Sequence, residues 1–436
     1  MNALFFSEDI FFVTPDIKRA IGIENIFPHY HIICSYNDPL ISILRKKGVK
    51  IFCLSEQLKA QTVSVNNSGN LLANPLVERY INLHSRKTPF IVYFKPSLKI
   101  DYLIKKKKYK AIGNSFDLNE QFENKIRFFK FSNKYFPEFS TRGLIGILSK
   151  LKFNDVSKKL GLPMVMQLGH GWAGKTTYFI NTEKEFLDIS NKFPLTMVKL
   201  TSMINGYTIL NNCCIYKDKI FISPPAVQID GIPELYPRLG VTCGRQWPAK
   251  FLERRQISEI IDISKKTGKI LMKLGYRGFF GLDFLIEEKT GKVYFSEINA
   301  RLTASSSFYA YLERGLGRVP LFIYHIASFL DKDMSFQKWE GDNNIVGSQV
   351  IFRKNMPKLF PFSNKIKIRT YTIEDEKYKF IKENYAPDKL GINEFIYMIR
   401  KKRYKEAAGE EVARIEARKE VLSAPHKLNS WFKKLL

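Results

Sequence analysis

The segment GLDFLIEEKTGKVYFSEINAR, Gly281–Arg301, carries the residues best suited to chemistry. Two runs rich in β-branched and aromatic residues flank the turn signal EKTGK. With Lys289, Thr290 and Gly291 as a three-residue loop, Gly291 takes the left-handed position and Glu288 pairs with Lys292. Counting outward, Asp283 stands directly opposite Glu297, and Asn299 shares the face of Glu297. Opposed side chains approach to about 5 Å, where two carboxylates repel by roughly 3 kcal/mol at an effective dielectric near 20. Such a pair implies a cation. Two acids and an amide oxygen form a hard, all-oxygen set suited to Mg²⁺, or to Mn²⁺ in its place, with phosphate oxygens completing the coordination. The alternating Phe284, Ile286, Phe295 and Ile298 argue for buried strands rather than a solvated hairpin.

A second stretch, QLGHGWAGKTTYFI from Gln167, satisfies the P-loop pattern between Gly169 and Thr176. A P-loop needs a strand before it and a helix immediately after it. LPMVMQL supplies the strand, but TTYFI reads as a second strand, and the helix waits for the capping box Thr182–Glu185. The glycine-rich loop therefore joins two strands. It can fold its backbone N–H groups over phosphates as a flap, with Lys175 adding charge.

The elements that must position these residues follow from the pattern. HIICSY, VKIFCLS, TPFIVYFKP and YKAIGNS alternate with helical segments such as DPLISILRKKG, which predicts a parallel α/β lobe over residues 1–116. No G-x-G-x-x-G follows its strands. LNEQFENKIRFFKFSNKYF, Leu118–Phe136, reads as one helix leading away from that sheet. The run from Met197 reads as antiparallel strands turning at Asn205-Gly206 and Lys217-Asp218, and residues 255–274 as a helix ended by Gly275. The long Pro- and Gly-bearing loop from Ser223 to Pro248 offers Gln228, Arg245 and Trp247 as candidate substrate residues.

The 436 residues carry 70 Lys+Arg against 42 Asp+Glu, a formal charge of +28 that attracts anions of any kind. The five cysteines show no C-x-x-C spacing and read as reduced thiols. No apolar run reaches the roughly 18 residues of a membrane span, and the first residues do not read as a signal peptide, so a cytoplasmic location is expected.

The order flap, GLDF acid, EINAR hairpin resembles the ATP-grasp superfamily over about Leu118–Leu330. The resemblance implies a parallel α/β lobe followed by a two-lobed ATP-grasp module, here residues 117–195 and 196–340, with a basic C-terminal extension over 341–436. It implies ATP and Mg²⁺ as cofactors, with Asp283, Glu297 and Asn299 as metal ligands. Arg301 falls near the reacting carboxylate. Lys125 opens the nucleotide module, Gly169, Gly171, Gly174 and Lys175 form the flap, and Lys175 joins Arg301 in the catalytic set. Val198, Lys199 and Leu200 fall at the hinge beside the adenine, with Val198 and Leu200 as its apolar walls. Gln167 stands where the family usually has a lysine, and Thr201 and Ser202 where it commonly has a glutamate. The implied activity is an ADP-forming carboxylate–amine ligase acting on small-molecule or peptide substrates, with a homo-oligomer as an open assembly. A bicarbonate-using carboxylase is the alternative within the family. A basic RNA- or membrane-binding protein with a degenerate ATP site is the alternative outside it. The stripe Leu428, Trp431, Phe432, Leu435, Leu436 predicts a terminal amphipathic helix that docks on the body of the protein or on a second subunit rather than on a membrane.

Overall fold

The computed structural model describes residues 6–59, 65–169, 176–236, 240–334, 344–354, 368–374, 377–399 and 409–436. Its first sheet contains β1 (Ile10–Val13), β2 (Tyr30–Cys34), β3 (Lys50–Cys53), β4 (Phe90–Tyr93) and β5 (Lys110–Ile112). All pair in parallel, in the order β3-β2-β1-β4-β5. The central strand, IFFV, escaped the strand pattern read from the sequence because it is a short, continuous apolar run. It is apolar throughout because both faces are covered: Phe11 and Val13 enter one core, Ile10 and Phe12 another. The second core is shared with helices Ser306–Gly315 and Leu321–Leu330, and Phe12 meets the Phe322 ring at 5.9 Å. This shared core fixes the N-terminal lobe to the rest of the chain.

The expected helix over Leu118–Phe136 is two helices, Phe116–Glu123 and Lys125–Tyr135. Asn124 breaks it: its backbone is extended, and its side chain accepts from the N–H groups of Ile126 and Arg127. The small lobe follows as β6 (Gly143–Ile147), β7 (Met164–Leu168), β8 (Thr177–Ile180) and β9 (Met197–Ser202), in the order β6-β9-β7-β8. Strand β8 does follow the glycine-rich loop, and the Thr182–Glu185 capping box does open the next helix.

The large sheet comprises β10 (Gly206–Tyr216), β11 (Lys219–Ile222), β12 (Ala226–Gln228), β13 (Gly244–Trp247), β14 (Gly278–Glu287) and β15 (Val293–Asn299), continued by β16 (Gly347–Arg353), β17 (Arg369–Glu374), β18 (Lys377–Lys382), β19 (Phe395–Ile399) and β20 (Glu411–Ala417). Its order is β15-β14-β10-β12-β13-β16-β20-β19-β17-β18, with β11 on β10. Two expectations are corrected here. Asn205-Gly206 is not a hairpin turn, since β9 and β10 belong to different sheets; only Lys217-Asp218 closes a hairpin. The residues beyond 341 are not an appendage, because β16 pairs with β13 and carries the large sheet onward. The terminal helix is only Ser430–Lys433, yet Leu428, Phe432 and Leu435 are buried in the core under this sheet.

Candidate active site

Asp283 faces Glu297, as the sequence predicts, but by a different route. The turn is one residue longer on its first arm: Ile286 pairs with Val293, and Gly291, at φ +68°, donates to the Glu287 carbonyl. A β-bulge between Asp283 and Phe284 restores the count, since Phe284 pairs with Phe295 and Asp283 with Glu297, leaving Ser296 extra. The bulge is what brings Glu297 to the site. Phe295 and Glu297 lie two apart and would share the core face of a regular strand; the inserted residue turns Glu297 over while Phe295 stays buried against Phe284.

Cations hold this acidic face together. Lys125, first residue of its helix, donates from Nζ to Glu297 Oε2 at 2.9 Å. Arg301 Nη2 donates to Asn299 Oδ1 at 2.8 Å, and Asn299 Nδ2 donates to Asp283 Oδ1 at 3.3 Å. Burial, then the Glu297 charge, pushes the Asp283 carboxyl up to about 7. Burial alone would lower the Lys125 ammonium, but the charge and hydrogen bond of Glu297 prevail and raise it. Arg301 Nε also pairs with Glu123 Oε1 at 2.8 Å, and Lys95 Nζ with Glu123 Oε2 at 2.8 Å. Against burial, these two cations hold the Glu123 carboxyl below its usual range.

The donor set fits a hard divalent cation. Among the described residues no three His, Cys, Asp or Glu gather as a metal cluster. The set here is two acids and an amide, all oxygen donors on one sheet face, and their mutual repulsion is the mark of a position that a cation completes.

On the small lobe, Gln167 and Lys199 are cross-strand partners. Lys199 Nζ donates to Gln167 Oε1 at 3.0 Å, and Gln167 Nε2 donates to Thr177 Oγ1 at 3.2 Å. The Lys199 ammonium lies 6.0 and 5.8 Å from the Phe128 and Phe129 ring centres. Burial, and then the nearby Lys125 charge, lower it to about 8. Val198 and Leu200 point the other way, into the small-lobe core with Met164, Met166 and Ile180. Strand alternation thus overturns their expected part as adenine walls and aims the Lys199 side chain at the cleft instead. The Gly169 carbonyl accepts from the Lys125 N–H at 3.0 Å, so the root of the flap rests on the helix that carries Lys125. Gly171, Gly174 and Lys175 lie outside the described residues.

Gln228 and Arg245 are cross-strand partners on β12 and β13, and Gln228 donates to Asp230 at 2.6 Å. Trp247 is not in an open pocket; it packs in the core against Tyr309, ring centres 5.1 Å apart. Sequence reasoning missed Phe94, Lys95, Glu123 and Arg19. A signal existed for three of them: Arg19 lies beyond the carboxyl end of β1, and Phe94 and Lys95 directly follow β4, the end of a parallel sheet where ligands gather.

No protein-family model matches the chain. It is 24% identical over 273 residues to the carbamoyl phosphate synthase large chain of Thermoanaerobacter pseudethanolicus, covering 59% of this chain and 24% of that one. The chain thus spans about a quarter of the length of that relative. It is 36% identical over 75 residues to the L-propargylglycine–L-glutamate ligase of Streptantibioticus cattleyicolor, 17% of this chain and 15% of that one. Among solved structures it resembles the biotin carboxylase domain dimer of the Hydrogenobacter thermophilus 2-oxoglutarate carboxylase, solved with MgADP, ADP and bicarbonate. There the TM-score is 0.64 at 14% identity, over 93% of this chain and 85% of that one. With the acid–acid–amide hairpin already in place, this likeness defines the class: the chain has the ATP-grasp fold, with its parallel N-terminal lobe, small lobe and catalytic sheet. Among the described residues no helix is long and apolar enough to cross a membrane.

Proposed function

We propose that the chain is an ADP-forming ATP-grasp ligase that activates a carboxylate as an acylphosphate and joins it to an amine. The observation that carries this reading is Asp283 opposite Glu297 on a bulged hairpin, bordered by Asn299, Lys125 and Arg301. Asp283, Glu297 and Asn299 would hold Mg²⁺, or Mn²⁺. A bound metal ion would neutralise charge developing on the transferred phosphoryl group. Lys125 compensates Glu297 and is placed to exchange it for a phosphate oxygen. Lys199 presents a buried ammonium to the same cleft, taking the part that Gln167 cannot. The flap residues Gly169, Gly171, Gly174 and Lys175 would close over the phosphates. Arg301, held by Glu123, orients the carboxylate oxygen that attacks. Catalysis on this arrangement is chiefly positioning and charge neutralisation. The names of the relatives, one of them a ligase acting on L-glutamate, support amino-acid or peptide substrates.

A second reading takes bicarbonate as the carboxylate, favoured by the likeness to a biotin carboxylase domain solved with bicarbonate. That domain was also solved as a dimer, which supports a homo-oligomer here. A cytoplasmic location accords with five free, buried cysteines. The competing reading of a basic RNA- or membrane-binding protein with a decayed ATP site is disfavoured by the intact hairpin set. ADP release measured across pools of carboxylates and amines, with bicarbonate as a separate arm, tests the proposal. Release that needs a carboxylate and an amine together supports the ligase. Release with bicarbonate alone selects the carboxylase. Neither release nor thermal stabilisation by Mg-nucleotide removes both.

A further inference from the structure

The catalytic sheet presents one face to the cleft, and its register can be followed outward from the acids. Asp283 pairs with Leu210, Leu210 with Ala226, and the next position of the same face on β12 is Gln228, whose partner is Arg245. Arg245 in turn pairs with Gln349 of β16. Direct partners share a face, as do residues two apart, so Arg245 lies on the face of Asp283, three strands away. It is 4% exposed, and its Nε has no hydrogen-bond partner. Among the described residues it makes no ion pair. The carboxylates of β20, the strand beyond β16, are engaged elsewhere: Glu411 accepts from Arg414 at 2.7 and 2.8 Å, and Glu416 accepts from Gln349 at 2.7 Å.

A second guanidinium comes from the N-terminal lobe. Arg19 follows the first strand of the parallel sheet and rests on the Phe94 ring at 4.4 Å, while Arg301 lies 5.2 Å from the same ring. Arg19 also makes no ion pair among the described residues. Burial lowers Arg245 to about 9 and Arg19 to about 10; after burial, Arg19 is the largest influence lowering Arg245. Arg245 is thus a buried guanidinium with no ion-pair partner among the described residues, and Arg19, half-buried with Asp16 as its main attractive charge, adds a second positive charge from the N-terminal lobe; such an arrangement is costly unless an anion arrives.

We infer that Arg19 and Arg245 form an anion subsite of the acceptor pocket, and that the substrate is a small acidic molecule whose second anionic group seats there. The inference rests on the proposed reading of the acids as the phosphoryl-transfer end. Three strand spacings and a two-residue step along β12 separate the backbones of Asp283 and Arg245, about 16 Å in all. Side chains reaching in from both ends shorten that gap, which suits a small molecule with two anionic groups, one at the acid end of the sheet and the other at Arg245. A carboxylate and a phosphate both satisfy this chemistry.

Thermal melting of the full-length protein with saturating MgADP tests it. The added probes are 20 mM glutarate, L-glutamate or inorganic phosphate, each against chloride at equal ionic strength. The expected result is a rise of several degrees with glutarate and L-glutamate, or with phosphate if the anion is a phosphoryl group. That rise should disappear in Arg245→Met, while the separate stabilisation by MgADP is kept. Arg19→Met is the second variant, should Arg245→Met fail to fold, and is expected to lose the rise likewise. No probe exceeding chloride in the wild-type protein overturns the inference, as does a variant that keeps the full rise. Loss of the MgADP effect in the wild-type protein would instead remove the nucleotide reading beneath it.

Discussion

Replacing Asp283 with Asn should change how the metal-free protein's stability depends on pH. The Asp283 carboxyl has an ordinary value of 3.8 and sits near 7 in the folded chain, through burial and then the opposed Glu297. Between those values the folded state holds a proton that the unfolded state has released. Stability therefore falls as pH rises through that window, and the loss is complete above the folded value. A rise from 3.8 to about 7 corresponds to ~4 kcal/mol at 1.36 kcal/mol per pH unit. Solvent reaching the cleft screens the pair, so roughly 2 kcal/mol is the working figure. Asn keeps the size of the side chain and leaves an oxygen for the Asn299 amide, so the fold has no reason to change. Urea unfolding followed by tryptophan fluorescence, without metal or nucleotide, at pH 5 and pH 8 is the assay. The wild-type protein should lose roughly 2 kcal/mol more than Asp283→Asn between the two, and saturating Mg²⁺ should shrink that difference. Parallel pH dependence in the two proteins, or a relative gain by wild type at pH 8, would refute the reasoning.

Glu297→Gln should fold and lose two or more orders of magnitude in turnover, since single charge-stabilising groups at such sites are worth about 10²–10³; wild-type ADP release from it would exclude the metal assignment. Thr176 precedes a strand rather than opening a helix, so Thr176→Ala should be nearly silent in ATP binding while Lys175→Ala weakens it; equal damage from both would restore the P-loop. Deleting Lys427–Leu436 removes Leu428, Phe432 and Leu435, all buried in the core under the large sheet, at roughly 2 kcal/mol each. The melting temperature should fall sharply, with flotation on anionic liposomes low and unchanged; lost liposome binding at unaltered stability would place this segment on a membrane.

The parts of the site that were legible are those set by local periodicity. Alternation in GLDFLI and VYFSEINA put Asp283 opposite Glu297, and the Thr182–Glu185 box separated flap from P-loop. Even here the agreement hid two compensating departures, a longer turn and a bulge at Ser296, because nothing in a strand's sequence marks where an extra residue is accommodated. The pattern over Leu118–Phe136 runs helical straight through Asn124, a residue whose capping role depends on the backbone leaving the helix there. The sequence sets Val198, Lys199 and Leu200 together at the hinge, and strand alternation separates them, burying Val198 and Leu200 while the Lys199 side chain meets Gln167. Glu123 is illegible as a site residue, since its pairing with Arg301 joins segments far apart in the chain. The sheet formed by β16–β20 was likewise hidden, because pairing between β13 and β16 links segments too far apart for any window to connect.

That distant pairing has a consequence for synthesis on the ribosome. The hairpin acids, the flap and the Arg245 strand emerge while β16 is still untranslated, and β16 itself acquires its outer neighbour only when Glu411–Ala417 appears. During that interval β13 is an open edge with unpaired N–H and C=O groups, the kind of surface that recruits strands from other chains. The nascent protein thus passes through a stage in which the Asp283–Glu297 hairpin exists while the Arg245 strand still lacks its outer neighbour. Translation pauses between Gly291 and Gly347 would lengthen that exposure, whereas pauses before β10 would not.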